Sequence, residues 1–593
     1  MSERIRITLC LLAIGLLFGI HVHLKTTKIF SHPTWNGTDE TGQFWSEFAV
    51  HYRFAKFFAE QPIRHWHQLA EDATIQHPQI VNDWAEFALA MEIPAGLSYR
   101  LAGKLNLPRP AFHVWVVWFD CLMSSLTLLA LFFLSCWLWQ SNVAGLLAAV
   151  LYAALYPSYG RTVQNLFLKE DFAIPFIVMA LAFTVRMLEA SRERQWFWGC
   201  ASGLVWVAAL ASWHLTPFVL TVLAGALVLV WLTDQLQEQR TALCWWVGVL
   251  TIGGVVVPVL WSKQFWLSPV MCLLMGVATA SHVNGARWRR WSVLVIVAGA
   301  LAIAGMLLPK SVNEYAHVYE LFFAKLRHLG VKPEEPAKLS AEARSLWEGA
   351  FNTAHGTEWW RSLMWCGPLS VIAGVGAWKR ARPNVRVFVL FVVLLAPLSW
   401  MVVRYFTFLG FAAAALAAGV WAMKPAWWRF MGVAAAIWQL ALLDGKPMAR
   451  IPPDPAAYRP VVDWIAAQTP TNAVILAHIA ESPVFWAHTG RSIILHSKFE
   501  NREIRRRYEE LLDSIYRDEN AFHAFARRYG ADYFIFDTGF LLRAADSRRY
   551  KANRMGELPA DCAAVLFHNA PEQLKHFHLE LTSGRFSVFS VAD

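Results

Sequence analysis

Phe44-Trp45-Ser46-Glu47-Phe48-Ala49-Val50-His51-Tyr52-Arg53 carries one carboxylate among aromatic side chains, six residues before an arginine. It lies in a polar-aromatic loop, residues 23–110, between an apolar run at 5–22 and another at 111–139. Runs of about 17 or more apolar residues are long enough to cross a bilayer as helices. The loop therefore joins two membrane spans. If the stretch is helical, Glu47 and Val50 share a face, as do His51 and Phe54, and Arg53 lies about a turn and a half on. A carboxylate in such surroundings loses water, so its pKa is expected to rise toward the range useful for a base. The alternative is an amphipathic helix lying in the interface, with Glu47 and Arg53 solvated.

The chain around this stretch reads as a polytopic α-helical membrane protein. Its 593 residues are 56% hydrophobic and 16% charged, against about 25% charged in soluble domains. Spans are expected at 5–22, 111–139, 143–157, 171–189, 196–213, 214–232, 242–261, 265–283, 291–309, 362–378, 386–402, 405–423 and 427–443, about 13 in all. Arg186, Arg192 and Arg194, then Arg287, Arg289 and Arg290, then Lys379, Arg380, Arg382 and Arg386, then Lys424 and Arg429 fall on one side with the N-terminus. That bias orients a membrane protein, and with it the net charge of +10 argues against nucleic-acid binding. No small-x-small cleavage site follows the first run, so an uncleaved span is expected. Residues 23–110, 310–361 and everything after Asp444 then lie outside.

Seven of the 8 cysteines sit in apolar spans and Cys562 in the polar tail, with no metal-type spacing. Several of the 31 tryptophans sit at span ends, as in an interfacial belt. Residues 1–444 form one expected unit, with external loops at 23–110, 158–170 and 310–361. Pro452-Pro453-Asp454-Pro455 marks a linker to a tail at 445–593. There, helices at 461–465 and 502–528 alternate with strands at 473–477, 492–495, 533–536 and 586–589. A small α/β extracytoplasmic domain is expected.

Four further segments carry polar groups at span ends. Lys169-Glu170-Asp171 stands where a span enters from outside, and its acids also suit a helix N-terminus. Arg404, in Val402-Val403-Arg404-Tyr405, is a charge between two spans, which usually faces a cavity or phosphate unless it snorkels. His317 shares a face with Glu320 on an external helix that either orders over substrate or lies on the bilayer. Ser212-Trp213-His214 reads as a tight turn. In the tail, His496-Ser497-Lys498-Phe499-Glu500 precedes Arg502, Arg505, Arg506 and Arg507, a solvated basic helix unless the cluster faces the membrane portion.

Together these pieces resemble the GT-C superfamily of polytopic glycosyltransferases, and within it the Dumpy-family protein C-mannosyltransferases. Phe44-Trp45-Ser46-Glu47 with Tyr52 resembles that family's first external-loop motif, whose Glu is the proposed catalytic residue. Leu168-Lys169-Glu170-Asp171-Phe172-Ala173-Ile174-Pro175-Phe176 and Met401-Val402-Val403-Arg404 with Phe406 resemble two more of its segments. The tail resembles its external domain through 463–465, 473–474, 491–493, 496–500 with Arg505, and Tyr533. More distantly, the layout resembles oligosaccharyltransferase catalytic subunits, whose first loop carries an Asp and an Arg that Glu47 and Arg53 echo. The chain has Asp171 where the C-mannosyltransferases have Ser, and lacks their tail Trp-Cys element. It also lacks the oligosaccharyltransferase Trp-Trp-Asp motif, with residues 480–486 near that place.

The resemblance implies inverting transfer of a single sugar, mannose, from a polyprenyl-phosphate donor to an exported polypeptide or glycolipid. Tryptophan C-mannosylation is the leading expectation, and asparagine or glycolipid transfer and a membrane transporter are the alternatives. Glu47 would be the catalytic base, and Arg404 and Lys169 would bind the donor phosphate. Glu170 and Asp171 would hold donor hydroxyls or, with Asp39 or Glu40, a divalent cation. Tyr52, Arg53 and His317 would position acceptor or donor. The expected setting is a bacterial inner membrane with the tail outside, in contact with membrane lipid.

Overall fold

Each apolar run forms helix in the computed structural model, which describes residues 3–283, 286–307, 316–378, 382–442 and 455–592. The first is α1 (Glu3–Phe30). The loop after it folds into α2 (Glu47–Glu60) and α3 (Glu92–Lys104). The bundle continues through α4 (Phe112–Trp139), α5 (Asn142–Ala153), α6 (Tyr156–Gln164), α7 (Lys169–Met187), α8 (Gln195–Ser212), α9 (Thr216–Trp231), α10 (Arg240–Val256), α11 (Pro269–Ala280) and α12 (Arg287–Leu307). After α13 (Ala316–Arg327) come α14 (Cys366–Trp378), α15 (Pro383–Met401), α16 (Phe406–Ala417) and α17 (Trp427–Ala441).

Among the described residues, five helices are long and apolar enough to cross a membrane: α1, α4, α12, α15 and the Val403–Ala422 stretch that contains α16. A sixth is added if α5 and α6 count as one span bent by 41°. The chain is an integral membrane protein. Several runs that read as single spans are shorter or cut. Proline is the cause at two of them, because it has no N–H to continue a helix. Pro157 opens α6, and Pro258 opens a separate turn of helix after α10. The basic loops gather as charge bias requires. Arg287 and Arg290 meet Asp234 at 2.5 and 2.7 Å, and Arg382 pairs with Glu189.

The tail builds a five-stranded sheet in the order β2-β1-β3-β5-β4. β1 (Val474–Ala477) runs parallel to β2 (Ser492–Ile493) and to β3 (Tyr533–Asp537). β4 (Phe577–Ser583) and β5 (Phe586–Val591) complete it antiparallel. β4 was not expected from the sequence. Its signal is the two-residue Gly584-Arg585 turn, with Gly584 at φ +58°, a conformation glycine reaches at little cost. The long helix expected at 502–528 is two, because Asp518 caps a second one through Ala521 N–H at 2.9 Å. The linker at 452–454, Lys379, Arg380, Glu314 and Tyr315 lie outside the described residues.

The first loop and the tail share one apolar core. Phe48, Val50, Phe54 and Phe58 of α2 pack in a cluster with Val484, Phe485, Trp486, Ile493, Phe586 and Val588. Ile493 exchanges backbone bonds with Thr74 and His77 of the loop, which covers the exposed edge of β2. The helical bundle has its own core.

Candidate active site

Glu47 is the first residue of α2, and what precedes it decides where it points. Ser46 has φ +53°, a left-handed backbone that costs a non-glycine residue roughly 1–3 kcal/mol. Its N–H donates to Ala480 O of the tail at 2.9 Å. The tail thus pins the kink that aims the carboxylate.

Lys498 meets Glu47 from the tail. Its Nζ stands 3.3 Å from Glu47 Oε2 and 2.9 Å from His51 Nε2. Because the ammonium donates to Nε2, the His51 ring proton sits on Nδ1 and is given to Glu92 Oε1 at 2.6 Å. Lys169 Nζ closes the relay 3.3 Å from the same Glu92 oxygen. His214, between α8 and α9, pairs with Glu500 at 2.8 Å. Lys169, His214, Lys263, His496, Lys498 and Glu500 line one cleft.

These contacts reverse the expected direction for Glu47. Burial alone would raise its carboxyl, but Lys498, then Arg404 and His51, hold it down to about 2. The sequence shows the aromatic surroundings of Glu47 and not the lysine that arrives from the tail. Burial, with Lys498 and Lys169 adding to it, takes His51 down to about 3, so the ring is neutral. Glu92 is likewise about 2, where Lys169 and His51 outweigh burial.

Arg404 sits in a short turn between α15 and α16, 3.3 Å from Glu170 Oε2. Arg161 of α6 holds the other oxygen of Glu170. The guanidinium also faces Trp213 at 5.5 Å and Phe351 at 5.7 Å. Its Nε is buried without a hydrogen-bond partner among the described residues. Arg404 is second, after Lys498, among the charges that lower the Glu47 carboxyl, and Lys169 of the α7 turn lines one cleft with Lys498 and Glu500 of the tail.

Other expected residues lie elsewhere. Arg53 is six residues past Glu47, some 240° round the helix, and stacks on Trp486 at 5.4 Å. Tyr52 is fully buried, stacked on Phe44 at 4.3 Å, with its hydroxyl on Glu40. Asp171 turns into the bundle, where Thr162 donates to it at 2.9 Å. Glu40 is taken by Tyr52 and Lys56, and Asp39 by Arg459. Neither joins Glu170, and among the described residues no three His, Cys, Asp or Glu side chains are placed to hold a metal. His317 is buried at the start of α13.

His51, Glu92, His214 and Lys498 were not singled out as site residues. His51 has a local signal, being one turn after Glu47 on the same face. The others arrive through tertiary contacts.

A row of aromatic rings runs from Trp45, two residues before Glu47, to Phe499, next to Lys498. Phe499, next to Lys498, packs edge-on to Tyr508 at 5.8 Å. His478 links Tyr508 to Phe540, stacking on the latter at 4.5 Å, and Phe540 stacks on Trp45 at 6.3 Å. Trp45, Phe499 and Phe540 are half-buried.

Comparisons with known proteins bear on the family and the fold. The Dpy19 family, described as Q-cell neuroblast polarisation, matches residues 14–329. No curated protein matches the sequence. Archaeal oligosaccharyltransferase AglB from Archaeoglobus fulgidus, solved with an inhibitory peptide and a dolichol-phosphate, has a similar structure. Its TM-score is 0.73 at 12% identity, covering 96% of this chain and 79% of that one. The apo form of the Archaeoglobus fulgidus oligosaccharyltransferase gives 0.71 at 11% identity, covering 96% and 80%. At such identities the likeness establishes a fold shared with these oligosaccharyltransferases and nothing of their activity.

Proposed function

The chain belongs to the Dpy19 family, and on that premise we propose that it moves one mannose from a polyprenyl-phosphate to the indole carbon of a tryptophan in an exported polypeptide. The carrying observation is the pairing of Glu47 with Lys498 of the tail at 3.3 Å, an acid and a cation from distant parts of the chain, with Arg404 adding to the positive field on the carboxyl. Arg404 keeps its buried Nε unbonded, a donor suited to a phosphate oxygen. An apolar groove lined by Leu363, Val371, Val389, Leu409 and Ala413 runs between α14, α15 and α16. Trp359 of its lining packs on Phe406, two residues past Arg404, at 4.9 Å, and the groove suits a prenyl chain. The row from Trp45 to Phe499 suits an aromatic acceptor, since offset or edge-on rings attract one another.

In this reaction the acceptor carbon attacks the sugar C1 opposite the phosphate, with inversion. The C1–O bond breaks and its electron pair stays on the phosphate oxygen, where Arg404 and the cleft lysines offset the charge. The ring cation that forms loses its proton to Glu47. The similar archaeal structure holds a peptide and a lipid phosphate together, which supports the same pair of substrates here. The test is donor turnover in proteoliposomes carrying the wild type or Glu47→Gln, with mass spectrometry of a tryptophan-containing peptide. Hexose on tryptophan with the wild type and none with the variant is expected. Equal turnover by the two would remove Glu47 from the chemistry.

A further inference from the structure

Lys498 has two partners and open space beside it. Its ammonium lies between Glu47 and His51 at 3.3 and 2.9 Å, and it lines the cleft with Lys169, His214 and Lys263. The Lys498 side chain is 6% exposed and that of Glu47 27%, so the carboxylate is the more open of the pair. As it stands, the pair makes Glu47 a weak base. Lys498 is the largest of the charges that oppose burial and take the carboxyl down to about 2, and efficient bases sit near the working pH. A phosphate is a strong competitor for the same ammonium, because both form short charge-assisted hydrogen bonds. The contact with His51 can persist through such an exchange, since Glu92 fixes that ring.

We propose that Lys498 is a positioning residue that changes partners during turnover, leaving Glu47 for the phosphate of the incoming lipid and so releasing the carboxylate to act as the base. The inference rests on the reading of Glu47 as proton acceptor. In the resting site the acid stays paired and idle. When the donor is seated, the ammonium faces the oxygen that receives the C1–O electron pair, and the proton lost by the acceptor carbon goes to the freed Glu47. With Lys498 gone, Arg404 and His51 still favour the charged form, while burial and Glu500 oppose it.

Dicyclohexylcarbodiimide, which modifies protonated carboxyls in apolar surroundings, reports on the exchange. The full chain in proteoliposomes is treated near neutral pH, and Glu47 modification is followed by peptide mass spectrometry. Wild type is expected to react slowly alone and roughly tenfold faster with added polyprenyl phosphate, the change in protonated fraction for one unit of pKa. Lys498→Met is expected to react fast with or without the lipid, and Lys498→Arg to restore the lipid response. Lys498→Met should also raise the donor KM by about tenfold or more, as for a lost hydrogen bond to a charged group. Labelling in Lys498→Met with no lipid response in wild type would overturn the exchange, as would equal slow labelling in both. Neither outcome touches the glycosyltransferase reading, which stands or falls on turnover by Glu47→Gln.

Discussion

Glu170 and Asp171 are adjacent in sequence and belong to different worlds. Glu170 looks outward to Arg404 and Arg161 and helps shape the site. Asp171 looks inward to a closed polar network. There Lys25 of α1 lies near Asp171 and Asp120 and donates to Ser124 at 2.9 Å. His21 bridges Ser125 and Ser158 at 2.9 and 3.1 Å. Asp120 accepts from Phe167 N–H at 3.0 Å, and Phe167 has φ +62°. The inner network therefore holds the strained turn on which Lys169 and Glu170 stand, and Lys169 lines the cleft. Burying charges in the bundle is costly unless they are paired. That cost is met here by fixing the turn. The comparison assigns chemistry to one side of α7 and rigidity to the other.

Substitutions on the two sides should part accordingly. The largest effect is expected for Glu47→Gln, a loss of about 10²–10⁴ in kcat with little change in melting temperature. A variant that kept its rate would erase the distinction. Next comes Arg404→Gln, where removing a preorganised cation should lower kcat/KM for the donor by roughly 10²–10³, while Arg161 keeps Glu170 paired. On the inner side, Asp120→Ala removes the acceptor for Phe167 N–H and should destabilise by about 1–3 kcal/mol. Thermal unfolding in detergent measures this, and the rate per folded molecule should fall by less than about tenfold. If it instead fell as far as in Arg404→Gln with no loss of stability, the inner network would belong to the chemistry.

The smallest effect is in the pH dependence of stability. Glu92, depressed to about 2 by Lys169 and His51 against burial, adds stability that is present above its ordinary value of 4.5 and is lost as pH falls toward 2. His51, lowered to about 3 from 6.5, works in the same sense, because the unfolded chain takes up its proton first on acidification. Melting temperature should therefore fall from about pH 6.5 downward, and less steeply in a Glu92→Gln, His51→Gln variant.

The sequence made the membrane class, the positions of most helices and the isolated charges at Glu47 and Arg404 legible. Apolar runs and loop charge are local signals, and a lone charge at a span end is conspicuous. The facing of each side chain was less legible. Arg53, expected to position acceptor or donor, is on the far side of α2 stacked on Trp486, whereas His51, one turn along, shares Lys498 with Glu47. Asp171 looked like a second site acid and faces inward because neighbouring residues on a helix point about 100° apart. The fall in the Glu47 pKa was out of reach, since its main cause is a lysine 451 residues away.

That separation bears on how the protein is made. A chain emerging from the ribosome folds from its N-terminal end, so α2 and the Arg161–Glu170 pair can form early. Arg404 joins only after fifteen labelled helices, α1 through α15, have been synthesised, and Lys498 and the Ala480 carbonyl later still. A nascent or prematurely terminated chain therefore inserts into the membrane without a finished centre, and a cell carrying such fragments would not squander its lipid-linked sugar on them.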